Sequence, residues 1–481
     1  MTQSIKPNQR FVTPLIVFGA LMSLGWAING MIGNAPGSAI SGAFAALAAV
    51  VIIRPHSHES QSLLLVRVAA FGAMGYWFGG EMTYGQTFSL MQPSTADGAY
   101  YWWALLGVAV KGGAWSGVGA AFIGLGLMAR RYRWYEIALL VLAMTGASIA
   151  GQWFFNTPNT ISGDVALITF SFDPAKLDIP GRTECWGALW SGLIVLLVYA
   201  RCFKKDSVTF RFGLYGALGG ALGFALGQVF QAYSWWHPTI ALRPWIDWWK
   251  VMELTHGFVV GLFLAYAALT TRRSELSEGE SQSKPISPMV EWIVIIIWMT
   301  LLVEYFARNE FSDLLAAFPF VVGIPLFAAL ISSRWLPWII IGVQVPLATG
   351  LISANECMST FPYDNGYKTP EGVMISLISV LSYAWPMILL GVVMCSIPIY
   401  IWLYRKPDSA KSAMFIFHCF IGYHVISVLI QFVWATLHFA PSWGMNDLFL
   451  FSRPYITLSM IFILFWIVIV VGFSRKRLFS D

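Results

Sequence analysis

The sequence predicts an all-α, polytopic transmembrane helical bundle of fourteen spans, with twelve as the lower bound and both termini cytoplasmic. Three observations predict it. The chain is 57% hydrophobic and 11% charged, where soluble domains carry about 25% charged residues. Its apolar residues gather in stretches of roughly 20, the length that crosses the hydrocarbon core of a bilayer. Its Lys and Arg residues sort to alternate loops, the pattern of cytoplasmic segments. The bilayer is therefore the first partner. The net charge of +5 needs no nucleic acid to explain it, because the basic residues sort by membrane side.

In chain order the expected spans are 11–30, 35–53, 62–84, 102–128, 135–156, 185–202, 210–234, 251–270, 289–306, 312–332, 335–353, 373–402, 412–439 and 453–473. The first follows Lys6 and Arg10 and is too long for the apolar core of a cleaved signal peptide, so it reads as a retained helix. With the N-terminus inside, 20 of the 29 Lys and Arg fall on the inner side and seven on the outer, Lys250 among them. Arg67 and Lys111 lie within spans. Trp and Tyr cluster at the boundaries, as in Tyr100–Trp103 and Trp235–Trp236, where amphipathic rings are favoured. Fifteen of the 24 Asp and Glu lie outside or at outer helix ends, a field that suits cations, neutral polyols or protons better than anions. The setting that fits is a bacterial cell inner membrane.

A Ser- and Glu-rich segment, 271–288, divides the chain into an eight-helix membrane core (1–270) and a six-helix companion (289–481). It reads as a hydrophilic cytoplasmic linker. Of the 43 glycines, 33 precede residue 271, so the first region permits close helix approach. There one pattern recurs four times. A glycine-rich helix ends in polar residues, at Gly30–Asn34, Gly80–Gln86, Gly151–Asn156 and Gly227–Gln231, and a second helix then begins. Aligning the last glycine of each second helix (Gly42, Gly117, Gly192 and Gly261) places Glu184 over Glu253. Four hairpins entering from one side imply a four-fold parallel repeat about an axis along the membrane normal.

Polar groups at membrane depth are costly and mark pathways or sites. The candidate substrate- or proton-binding residues are Glu81, Lys111, Gln152, Asn156, Glu184, Gln228, Gln231, Glu253 and His256. Lys111 sits roughly 13 Å into its span at 1.5 Å per residue, where an ammonium needs a carboxylate or loses its proton; Glu81 is the first-choice partner. The bland reading is a structural Lys–Glu lock. Glu253 and His256 have the i, i+3 spacing of half a di-metal site, but the second Glu-x-x-His that such a site needs is missing. No metal or cofactor is expected, and no P-loop, G-x-S-x-G or H-E-x-x-H occurs. Cys185 and Cys357 both fall on the outer side, where they are the one pair placed to form a disulfide.

These residues point to a permease or carrier for a small polar solute, whether neutral, zwitterionic or cationic, with proton coupling an option. Gln and Asn suit such ligands because each supplies donors and an acceptor. Two alternatives share the same residues. One is a membrane-embedded enzyme acting on a lipid-linked sugar or lipid headgroup at the outer leaflet, its carboxylates and His256 serving as acid and base. The other is a structural or sensory membrane protein whose polar groups join helices.

Overall fold

The computed structural model describes residues 7–32, 34–53, 61–80, 85–93, 98, 100–156, 172, 184–239, 246–277, 286–308, 323–346, 415, 418–426, 429, 460–461, 463–464 and 467. Among them every regular element is helical and no strand occurs. The first region holds α1 (Pro7–Ile32), α2 (Asn34–Ile53), α3 (Gln61–Gly79), a short α4 (Gly85–Ser89), α5 (Tyr101–Leu127) and α6 (Trp134–Phe155). It continues with α7 (Trp186–Val198, extended by a π-helical turn at Tyr199–Phe203), α8 (Ser207–Trp236), α9 (Trp248–Thr270) and a short α10 (Arg273–Ser277). The second region holds α11 (Pro288–Arg308), α12 (Ile324–Ser332) and α13 (Leu336–Ile339, extended by a π-helical turn at Ile340–Gln344).

Seven helices among the described residues are long and apolar enough to cross a membrane, or eight if the bent pair α12 and α13 forms one span. Each of the eight spans expected before residue 271 coincides with a helix, α2 with the shorter apolar stretch Gly37–Ile53. After the linker, the span expected at 289–306 coincides with α11. Those at 312–332 and 335–353 correspond to two short helices meeting at 114°. The span at 373–402 lies outside the described residues, as do most of 412–439 and 453–473.

Side-chain caps fix two starts. Asp206 accepts the backbone N–H groups of Val208 (3.0 Å) and Thr209 (2.9 Å) ahead of α8. Asp247 accepts those of Trp249 (2.9 Å) and Lys250 (3.3 Å) ahead of α9. Such caps satisfy donors that a helix leaves orphaned. Because α9 opens at Trp248, Lys250 lies inside a helix and is buried, not in an outer loop as its sequence position suggested. Burial pushes the Asp206 carboxyl above the usual carboxylate range, against hydrogen bonds from Thr209 and Tyr132 that lower it.

α8 shows how composition becomes packing. Leu214, Leu218, Leu222, Leu226 and Phe230, four residues apart, are exposed along one side. Gly213, Gly216, Gly220, Gly223 and Gly227 are buried on the other. Large apolar side chains outside and glycines inside is the arrangement of a lipid-facing helix that packs backbone to backbone.

Contacts close a cycle: α1 packs on α2, α2 on α3, α3 on α5, α5 on α8, α8 on α9, and α9 back on α1. Three of the expected hairpins (α1–α2, α3–α5, α8–α9) thus form a six-helix ring. The fourth, α6–α7, packs within itself and lies against α5 from outside. The glycines that align in the second helices fall into the same two groups. Gly42 of α2 meets Gly72 of α3, Gly117 of α5 meets Ala217 of α8, and Gly261 of α9 meets Phe18 and Gly19 of α1, each at a seam between ring hairpins. Gly192 of α7 instead meets Met144 and Ser148 within its own hairpin.

The second region covers α2, α3 and α6. Phe327 of α12 stacks on Phe122 at 4.4 Å between ring centroids, and Phe420 and His424 pack edge-on against Phe44 of α2. The break between α12 and α13 is clasped by opposite charges. The buried Arg67 of α3 donates to the carbonyls of Leu330 (3.0 Å) and Ser333 (3.2 Å) at the end of α12. Glu291 of α11 accepts the Ser333 hydroxyl and the backbone N–H groups of Arg334 (2.8 Å) and Trp335 (2.9 Å) at the start of α13. A cation at a helix C-terminus and an anion at an N-terminus both oppose the local dipole charge.

Candidate functional site

The ring has two ends. One carries the basic turns, including Arg130, Arg131, Arg133, Lys204 and Lys205. The other carries the hairpin tips, and the candidate residues among those described lie in that half. The structure brings them into three groups.

The first group is built on Lys111, which lies on α5's buried face and is 1% exposed. Its ammonium lies 2.6 Å from Oε1 of Glu184 and donates to the Thr87 hydroxyl at 2.7 Å. The other oxygen of Glu184 accepts the backbone N–H of Phe172 at 3.2 Å. Glu81, the partner expected from the sequence, lies outside the described residues; the carboxylate that the described residues supply is Glu184. Gln152 and Asn156 stand beside this pair as helix-end supports. Gln152 donates to the carbonyl of Glu184 at 2.9 Å, and Asn156 Oδ1 accepts the N–H groups of Gly187 (2.9 Å) and Ala188 (3.4 Å). Both hold the start of α7, which belongs to the hairpin outside the ring. Cys357, the one cysteine placed to pair with Cys185, lies outside the described residues.

The second group is a turn of α9. Lys250 donates to Oε2 of Glu253 at 2.7 Å, and the Trp249 indole donates to Oε1 at 2.6 Å. The carboxylate lies directly against the Cα of Gly30, where a methyl group would overlap it. Glycine at the end of α1 is therefore what admits the Glu253 head between α1 and α9.

The third group occupies the ring centre. His256 is 1% exposed and eight residues into α9, about 12 Å along it at 1.5 Å per residue. Trp26 of α1 meets its ring edge-on at 4.2 Å, and Phe224 of α8 lies 4.8 Å away. Trp115 of α5 in turn meets Trp26 at 4.7 Å and donates to the Tyr76 carbonyl of α3 at 3.2 Å. Buried polar groups without a partner lie on the four helices that meet at these rings. Both nitrogens of His256, both amide atoms of Gln228, the Trp26 indole N–H and the Ser116 hydroxyl are buried without a hydrogen-bond partner. The hydroxyls of Tyr76 and Ser116 approach each other without reaching hydrogen-bond geometry. Gln231, one turn beyond Gln228, keeps an unpaired Oε1. Buried polar groups are paired in nine cases of ten or more, so this concentration sets the ring centre apart from the rest of the core.

No group of three or more His, Cys, Asp or Glu side chains with metal-binding spacing occurs among the described residues. A separate cleft of about 590 Å³ lies between α6, α11 and α12, lined by Trp134, Val290, Val294, Pro325 and Ala328. Its walls are apolar, and none of the candidate residues reaches it. Sequence reading missed Lys250, hidden by a loop assignment, and Trp26, Tyr76 and Ser116. The aromatic pair carries no signal in a chain with 23 Trp and 18 Tyr, but Ser116 is the serine of the repeated Trp-Ser-Gly element, which could have flagged it.

The apolar helices and their lipid-facing leucine stripe make the chain a helical integral membrane protein. Comparison with family models, curated proteins and solved structures gives no match.

Proposed function

We propose that this protein is a multi-pass inner-membrane permease for a small polar solute, whose path runs through the centre of the six-helix ring. The observation that carries the reading is the set of unpaired, buried polar atoms on Trp26, Ser116, Gln228 and His256. Each such atom costs roughly 1–3 kcal/mol when left unsatisfied, and four helices converge to supply them. A solute in transit pairs with them; a purely structural core gains more from apolar side chains there. In this reading the chain has fourteen spans, both termini are cytoplasmic, and the hairpin tips face outward. The hairpins are parallel repeats, three of which were recruited to the ring. The equivalent seams at Gly42, Gly117 and Gly261 support that repeat.

A carrier opens its site to both sides of the membrane, whereas an outer-leaflet enzyme opens it to one. The test is Ser116→Cys in a background with the five native cysteines replaced by serine. Sealed right-side-out and inside-out vesicles are treated with a membrane-impermeant maleimide. Modification from both faces is expected. Modification from the tip side alone overturns the permease reading in favour of an enzyme pocket, and protection from both sides overturns it in favour of a structural core.

A further inference from the structure

Taking the ring-centre site as a transport site, we infer that its solute is electrically neutral and hydroxyl-rich, a polyol or small sugar. The inference rests on the permease reading and narrows it, and two independent features carry it.

The first is charge. The ionised side chains that the described residues bring to the tip half of the ring are matched within the protein. Lys111 meets Glu184 at 2.6 Å and Lys250 meets Glu253 at 2.7 Å. Nothing ionised and unmatched among the described residues remains to hold a cation or an anion at the centre. An ion held by the described side chains there would lose its hydration without a counter-charge from them, a cost of several kcal/mol even after relaxation. A neutral solute meets no such cost.

The second is the chemistry of what is left over. Gln228 offers two N–H donors and a carbonyl acceptor, neutral His256 offers one donor and one acceptor, Trp26 donates only, and Ser116 does both. All have unpaired atoms and none is more than 2% exposed. Donors and acceptors interleaved on different helices match a ligand whose every polar group is itself both donor and acceptor, which is the property of a hydroxyl. Aromatic rings lie alongside, Trp26 and Phe224 packing on His256 at 4.2 and 4.8 Å. Polyols and sugars pair hydroxyl edges with a C–H face that packs on such rings. Quaternary ammonium ions also favour aromatic walls, but Glu184 and Glu253, the carboxylates the described residues bring to the tip half, already hold a lysine each.

The test is equilibrium binding and uptake of isotope-labelled mannitol, myo-inositol, choline and alanine by the purified full chain, in detergent and in proteoliposomes. Binding of mannitol or myo-inositol, at least tenfold weaker in Gln228→Leu and severalfold weaker in Ser116→Ala, is expected. Ser116→Ala removes one hydroxyl without altering packing, so it reports even if the leucine variant fails to fold. Retention of choline or alanine in place of the polyols overturns the inference while leaving the permease reading intact. Retention of none of the four probes, with the site open from both faces to maleimide, overturns it likewise. Polyol binding that is unchanged in both variants places the ligand elsewhere and also overturns it.

Discussion

Replacing Glu184 by Leu removes the carboxylate 2.6 Å from Lys111 at a place where the ammonium is 1% exposed, and replacing Lys111 by Met removes the other half of the pair. Breaking one side of a buried ion pair costs roughly 3–5 kcal/mol, because a desolvated charge remains. Removing both charges is far cheaper, since an apolar pair of similar volume is close to neutral in such sites. The double variant Lys111→Met, Glu184→Leu should therefore lie well above either single variant in stability. Through the cycle the coupling should reach about 3 kcal/mol, which is roughly a hundredfold in the unfolding constant. Glu184 also accepts the Phe172 N–H, so a residual loss of about 1 kcal/mol is expected even in the double variant. Unfolding in mixed micelles with rising dodecyl sulfate, followed by tryptophan fluorescence, reads all four proteins on one scale. Single-variant losses below 1 kcal/mol that simply add in the double variant would refute the buried-pair reasoning.

Two further perturbations test other parts of the fold. Gly30→Ala places a methyl group on the Glu253 carboxylate and should destabilise the protein by about 1–3 kcal/mol, the usual range for overpacking. In a Glu253→Ala background, which by itself leaves Lys250 unpaired, the same methyl group should cost less, and a Gly30→Ala protein as stable as the parent would show that α1 and α9 do not meet there. At the basic end, burial would raise the Glu275 carboxyl, but hydrogen bonds from Arg211, the Arg272 backbone and Ser207 bring it down to about 2 from an ordinary 4.5. A depressed carboxylate contributes stability that is present above its unfolded value and lost as pH falls through the folded one. Stability should thus fall between pH 4.5 and 2, and Glu275→Gln should flatten that part of the profile; identical slopes in the two proteins would sink the assignment.

Much of the first region was legible because its signals are local. Apolar length and basic loops located α1 to α9, and glycine spacing identified the seams at Gly42, Gly117 and Gly261. The partners were not legible, because pairing across helices depends on rotation and depth that sequence spacing fixes only to within a turn. Lys111 stands near Glu184, 73 residues away in the chain, because α7 docks outside the ring against α5. Gln152 and Asn156 look like site residues from their place in the repeat. Their hairpin lies outside the ring, and they support the start of α7.

That placement explains why the polar centre draws on α1, α5, α8 and α9 and on neither α6 nor α7. The three ring hairpins meet through glycine, so their backbones approach closely and the side chains between the seams must share a narrow core. Where the core is apolar, as around Phe44, Phe71 and Phe122, it is filled by aromatic rings and covered by the second region. Nearer the hairpin tips it holds polar atoms that no neighbour satisfies. At roughly 1–3 kcal/mol per unpaired atom, that cost lies in the same range as the gain from burying one large apolar side chain. A sequence selected only for stability would place leucine or alanine at Gln228 and Ser116. Polar groups at these two positions, in a half of the ring whose described ion pairs are internally matched, are the strongest reason for the proposal that the ring centre holds a neutral solute.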